Sequence, residues 1–202
     1  MLRQLRLRRC FLPDTRIDTF SMHGIVFTEF QHFIERGSHE GRWHDVLHGA
    51  KLDRRVYASI RHYPDKEFFY IVGSASRALN KPVDEIVEDF GVYIAPDLLG
   101  MYAVLIKPDW RTLDVIEHTE AVIHSVVRVK ESGAEPPQLK SRRVAPDEIE
   151  LIYDSPRKLC RLAKGIIRGI AAHFGERIQI VEHGCMLVGA SSCRLQIRQL
   201  SP

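Results

Sequence analysis

No apolar stretch of the chain approaches the ~20 residues that a bilayer-spanning helix needs, so no membrane segment is expected. There is also no basic surplus outside the first residues. Within residues 1–21, Arg3, Arg6, Arg8, Arg9 and Arg16 outnumber Asp14 and Asp18, and they carry the whole formal net charge of +3. Residues 22–202 sum to zero, which leaves no positive field for a nucleic-acid partner. The leading segment lacks the apolar core of a secretory signal. A cytoplasmic, reducing location follows, where cysteines serve as thiols or metal ligands rather than disulfides. Enzyme signatures are missing too: there is no Gly-rich phosphate loop, no G-x-S-x-G elbow and no H-E-x-x-H pair, so no catalytic activity is expected.

What is present is an ordinary globular composition, 45% hydrophobic and 27% charged over 202 residues, which excludes disorder, collagen and low-complexity classes. Residues 1–21 read as an unstructured basic extension, although their arginines also suit a transit peptide or a membrane-surface arm. The run Met22-His-Gly-Ile-Val-Phe reads as a domain start, making 22–202 one domain.

The first two-thirds of that domain is helical in pattern. Ile25, Val26, Phe30, Phe33 and Ile34 recur at helical spacing up to Gly37. Asp65 suits an N-cap, and Pro82 suits the first turn of a helix ending at Gly91. Asp109 opens a long helix to about Lys130. After Gly133 the period turns alternating: 138–144 and 148–153 flank a turn at Ala145-Pro-Asp, and Ile178/Ile180 and Leu195/Ile197 mark two further strands. Between these pairs a helix runs from an N-cap at Ser155 to Gly175. Leu159, Leu162, Ile166, Ile170 and Phe174 form its apolar stripe. The fold class is α+β, a helical N-terminal part followed by a small four-stranded antiparallel sheet with one inserted helix.

Three groups of residues can carry chemistry. Tyr153-Asp-Ser155-Pro-Arg157 sits where a strand becomes a helix, and its alternate side chains can converge on a carboxylate or phosphate. A helix cap explains the same residues, and on physics alone that is the stronger reading. His124, among Ile123, Val126 and Val127, suits either an axial haem ligand or a partly buried core histidine. His118, six residues earlier, faces elsewhere and cannot share a metal ion with it. Cys160, His183, Cys185 and Cys193 can form a closed tetrahedral zinc set. They can equally be ordinary thiols, or Cys185 and Cys193 can pair as a disulfide.

Taken together, these residues resemble the haem nitric oxide/oxygen-binding (H-NOX) family over nearly all of 22–199. The likeness runs from Met22-His-Gly-Ile-Val-Phe, through the helix bearing His124 and the Gly133-Ala-Glu-Pro-Pro link, to Tyr153-Asp-Ser155-Pro-Arg157, which fits the family's Tyr-x-Ser-x-Arg motif. The resemblance implies haem b, His124 as proximal iron ligand, and Tyr153, Ser155 and Arg157 on the propionates. Val26 and Pro137 match positions that press on the haem. Oxygen-binding members carry a distal tyrosine where this chain has Leu162, which implies a nitric oxide and carbon monoxide sensor that excludes oxygen. Signalling is expected in trans, to a partner such as a histidine kinase or cyclic-di-GMP enzyme. Some members also resemble the Cys185-x₇-Cys193 pattern, which implies Zn²⁺, but His183 stands one residue nearer Cys185 than in them. The competing reading is a haem-free zinc/thiol redox switch built on that cluster.

Overall fold

The computed structural model describes residues 20–36, 42–130 and 134–201. The expectations for residues 1–19, for the helix stop at Gly37 and for Gly133 fall outside them. Phe20 and Ser21, just ahead of Met22, already join the fold. Ser21 pairs with Pro64, and the Asp65 amide donates to the Phe20 carbonyl.

Two compact units meet within one helix, at Ile86/Val87. The first holds β1 (Ser21–His23), α1 (Gly24–Glu35), α2 (Arg42–Gly49), β2 (His62–Pro64), α3 (Asp65–Leu79) and the start of α4 (Val83–Met101). Its core is aromatic. Phe27 stacks on Tyr57 at 4.4 Å between centroids, and Phe30 meets Phe68 edge-on at 5.4 Å. The rings leave few polar groups inside, and the buried Glu67 carboxylate is matched by a two-pronged Arg55 contact and the Tyr57 hydroxyl. Asp65 is the first residue of α3 rather than its cap, because its amide is already committed to Phe20.

The second unit comprises α4 from Val87, α5 (Thr112–His118), a π-helical turn (Thr119–His124), α6 (Ser125–Lys130), β3 (Gln138–Ala145), β4 (Glu148–Asp154), α7 (Cys160–His173), β5 (Arg177–Gly184) and β6 (Cys193–Leu200). The expected four-stranded antiparallel sheet forms in the order β3-β4-β6-β5. Alternation puts Ile149, Leu151, Leu195 and Ile197 on one face, where α5 and α7 cover them with Leu113, Ile116 and Ile167. On the far side of those helices, α4 closes a second cluster of Ala95, Leu99, Trp110, Val115 and Ile170.

Three expected boundaries move. Gly91 does not end α4. It lets α7 approach, since a β-carbon there would lie 2.5 Å from the Leu162 carbonyl oxygen and 2.8 Å from Gly165 Cα. The long helix starts at Thr112 rather than Asp109 and widens into a π turn before His124. Finally, α7 starts at Cys160, not Ser155, because Lys158 adopts a left-handed φ of 51° within a turn closed by its amide onto Ser155. The stripe expected on α7 is only partly buried. The helix is covered on two sides, by the sheet at Ile167 and by α4 at Gly165, Gly169 and Ile170.

The α4–α7 crossing makes a test of this packing. At Gly165 an added methyl would overlap the Glu88 carbonyl oxygen and sit 2.8 Å from Gly91 Cα, both backbone atoms that cannot rotate away. Gly165→Ala is therefore expected to cost about 1–3 kcal/mol in urea unfolding, despite alanine's better helix propensity. An unchanged midpoint would mean the helices are not this close.

Candidate functional site

His124 ends the π turn with its side chain 14% exposed. Its Nδ1 lies 3.0 Å from Glu120 Oε2. Burial lowers the imidazole's pKa below its ordinary value, and the Glu120 contact opposes this without cancelling it. Glu120 is the reverse case: burial pushes it up, but hydrogen bonds from His124, the Leu139 amide and Arg128 outweigh that and hold it below the usual glutamate range. At neutral pH the pair is thus a neutral ring donating through Nδ1 to a carboxylate. Nε2 then carries the lone pair, the state in which a histidine binds a metal. His118 is occupied otherwise, stacked on Trp110 at 4.4 Å with Nδ1 2.8 Å from the Asp114 carbonyl oxygen.

The helix bearing His124 rests on β3 through several polar contacts. Ser141 Oγ donates to the Glu117 carbonyl at 2.8 Å, Arg143 reaches Asp114 at 2.7 Å and Glu117 at 2.8 Å, and the Leu139 amide donates to Glu120 at 3.0 Å.

Tyr153, next to last in β4, is buried, and burial pushes its hydroxyl well above the ordinary tyrosine pKa. Ser155 is buried as well, and its Oγ accepts the Arg157 amide at 3.3 Å. Arg157 is half-buried, with Nη1 on the Glu135 carbonyl. The capping alternative for this segment fails, since α7 begins five residues after Ser155. Val26 is half-buried on α1, Pro137 half-buried just before β3, and Leu162 half-buried early in α7.

Cys160, Cys185 and Cys193 converge. All three are buried free thiols whose sulfurs lie within 4.8 Å of one another. The Cys160–Cys185 separation is 3.7 Å, and the Met186 amide donates to Cys193 at 3.2 Å. Burial and the neighbouring thiols push Cys160 far above the ordinary thiol pKa, and burial raises Cys193. His183 does not join them: strand alternation turns it outward, where Nε2 meets Gln196 at 2.8 Å. Its neighbour Glu182 faces the cluster instead, bonded to Cys185 and to the buried Lys164 at 2.6 Å. In the metal-free chain these thiols are expected to resist alkylation at neutral pH and to react once denaturant opens the fold, as mass spectrometry would read. Labelling of all three in the native chain would contradict their burial.

Two features escaped sequence reasoning. Tyr153 packs directly against the three cysteines, so the motif and the thiols share a wall. Glu120 was overlooked although Glu120, His124 and Arg128 recur every four residues, a spacing that brings side chains together on a helix.

A family model described as haem-NO-binding matches residues 23–182. An H-NOX protein of Shewanella oneidensis, solved in its Fe(II)NO ligation state, is 28% identical, with 89% of this chain and 100% of that one covered at a TM-score of 0.82. An H-NOX domain of the same organism in the Fe(II)CO state is 28% identical over 90% of this chain and 100% of that one, at a TM-score of 0.80. A soluble guanylate cyclase of Caenorhabditis elegans is 24% identical over 160 residues, which is 74% of this chain and only 22% of that protein's length. Among the described residues no helix is long and apolar enough to cross a membrane.

Proposed function

The chain belongs to the haem-NO-binding family, and on that premise we propose that it is a haem-based gas sensor, with His124 on the iron and Tyr153, Ser155 and Arg157 at the propionates of haem b. The observation that carries this is the state of His124: withdrawn from water, neutral, and committed through Nδ1 to Glu120, it offers Nε2 to a metal. Held there, haem would supply a ferrous iron able to take nitric oxide or carbon monoxide.

The remaining work falls to the chain. Arg157 supplies the charge that anchors an anionic edge, while the buried Ser155 shapes the turn that presents it by accepting the Arg157 and Lys158 amides. Transmission runs through the polar contacts between α5, the π turn and β3, so a change in what His124 is bonded to reaches the sheet through Glu120 and Leu139. The output we assign is a partner protein in trans, such as a histidine kinase or a cyclic-di-GMP enzyme. A purified chain offered haem should show a Soret band. A chain that stays colourless and loads zinc instead would favour a thiol switch.

The motif makes a second test. Arg157→Ala is expected to weaken haem retention by about 1.5–3 kcal/mol while the haem-free chain melts as before, because Arg157 is half-buried. Ser155→Ala removes a buried hydroxyl that accepts the Arg157 amide, so it should cost the haem-free fold about 1 kcal/mol. Equal, negligible effects on haem would remove the motif from the site.

The three convergent thiols favour a second, smaller proposal, a bound Zn²⁺ ion holding α7 to β6 and to the turn after β5. Binding must strip protons that burial holds on the sulfurs, so zinc titration should release acid and weaken as pH falls.

A further inference from the structure

We propose that Glu120 is the positioning residue for the proximal ligand, fixing the ring nitrogen that His124 offers and strengthening it as an electron donor. This rests on the haem reading above. The carboxylate is held from three sides by donors. Leu139 N–H lies 3.0 Å from Oε2, Arg128 Nη2 lies 2.7 Å from Oε1, and the third contact is His124 Nδ1 at 3.0 Å from Oε2. A carboxylate already anchored by a backbone amide and a guanidinium cannot swing away, so it dictates how the imidazole stands. Because an ionised carboxylate only accepts, the proton of a neutral ring sits on Nδ1 and the lone pair on Nε2.

A charged acceptor on the far nitrogen makes the near one more basic, which is how a carboxylate behind a metal-bound histidine acts. The partner here comes from the same helix turn. The π geometry sets Glu120 four residues before His124, and Leu139 secures it to β3 in the register position opposite Tyr153. The joint therefore links the histidine to the strand pair that ends in the propionate motif.

The test uses haem-loaded chains carrying Glu120→Gln or Glu120→Ala, with Ser141→Ala as a control that removes another contact between helix and strand without touching His124. Resonance Raman of the ferrous, gas-free form should place the iron–histidine stretch highest in the unaltered chain, lower in Glu120→Gln, where an acceptor remains without its charge, and lowest in Glu120→Ala. The midpoint potential should rise in the same order, and haem retention in Glu120→Ala should fall roughly 10- to 100-fold. Ser141→Ala should match the unaltered chain in stretch and potential. In the haem-free chain, ¹⁵N shifts of His124 should report the Nδ1–H form, and that preference should be lost in Glu120→Ala. If Glu120→Ala does not fold, Glu120→Gln carries the comparison alone. Equal stretches and potentials in a chain that binds haem would overturn the role of Glu120 and leave the haem reading standing. A chain that takes up no haem would overturn the haem reading, and the ¹⁵N shifts would then judge the Glu120–His124 joint by itself.

Discussion

Replacing His124 with glycine should abolish stable haem incorporation, or leave a haem-binding chain only when imidazole is added to fill the gap. On the proposed reading His124 is the proximal donor, half-buried and oriented by Glu120, and the histidine nearest it on the same helix is already occupied. His118 is stacked on Trp110 and bonded to the Asp114 carbonyl. Loss of the imidazole should not unfold the chain, because Glu120 keeps Arg128 and the Leu139 amide. The glycine itself adds a helix penalty of about 1 kcal/mol, too small to account for complete loss of haem. The comparison that isolates the ligand is His118→Gly, which should lower the melting temperature by losing the ring stack and still show a Soret band. A wild-type spectrum in His124→Gly with haem lost from His118→Gly would reverse the assignment. Recovery of the band with imidazole would show a pocket intact apart from its donor.

The residues most legible from sequence were those whose role is set by local pattern. Ile149, Leu151 and Tyr153 alternate, and all three are buried on β4. In the Tyr-x-Ser-x-Arg segment Tyr153 and Ser155 are both buried, while the Arg157 guanidinium turns to the Glu135 carbonyl. Failures came where a neighbour distant in sequence decides. Gly91 looks like a helix stop because nothing nearby reveals that α7 packs its backbone against it. Ser155 and Pro156 look like a helix start because their own chemistry favours one, yet Lys158 in a left-handed conformation ends that turn first. The strands β1 and β2 have three residues each, too few for any period to show. His183 suits a metal set by residue type, but strand parity sends its side chain outward and brings Glu182 to the thiols. Glu120 is the instructive omission. Its four-residue spacing from His124 was in plain view, but a glutamate on a helix is usually solvated, and only the Leu139 amide arriving from β3 makes this one structural.

The haem-loaded ferrous chain should respond to nitric oxide and carbon monoxide and keep no oxygen in air. On the proposed reading the relevant side chain is Leu162, which the family resemblance matches to the distal tyrosine position and which offers only carbon. Oxygen on ferrous iron draws negative charge outward, so a donor hydrogen bond slows its escape. A bond to a charged acceptor contributes about 1.5–3 kcal/mol, or roughly 10- to 150-fold in residence time, enough to decide whether a complex persists. Nitric oxide and carbon monoxide carry less charge when bound and lose less by the substitution. The backbone at Leu162 is well fixed, because its carbonyl lies against Gly91 of α4. Leu162→Tyr should therefore change the side chain without moving the helix, and longer oxygen retention by stopped-flow spectroscopy is the expected gain. A long-lived oxygen spectrum in the unaltered chain would mean that another donor reaches the gas. Selectivity would then lie elsewhere in the pocket, and the assignment of His124 to the iron would be untouched.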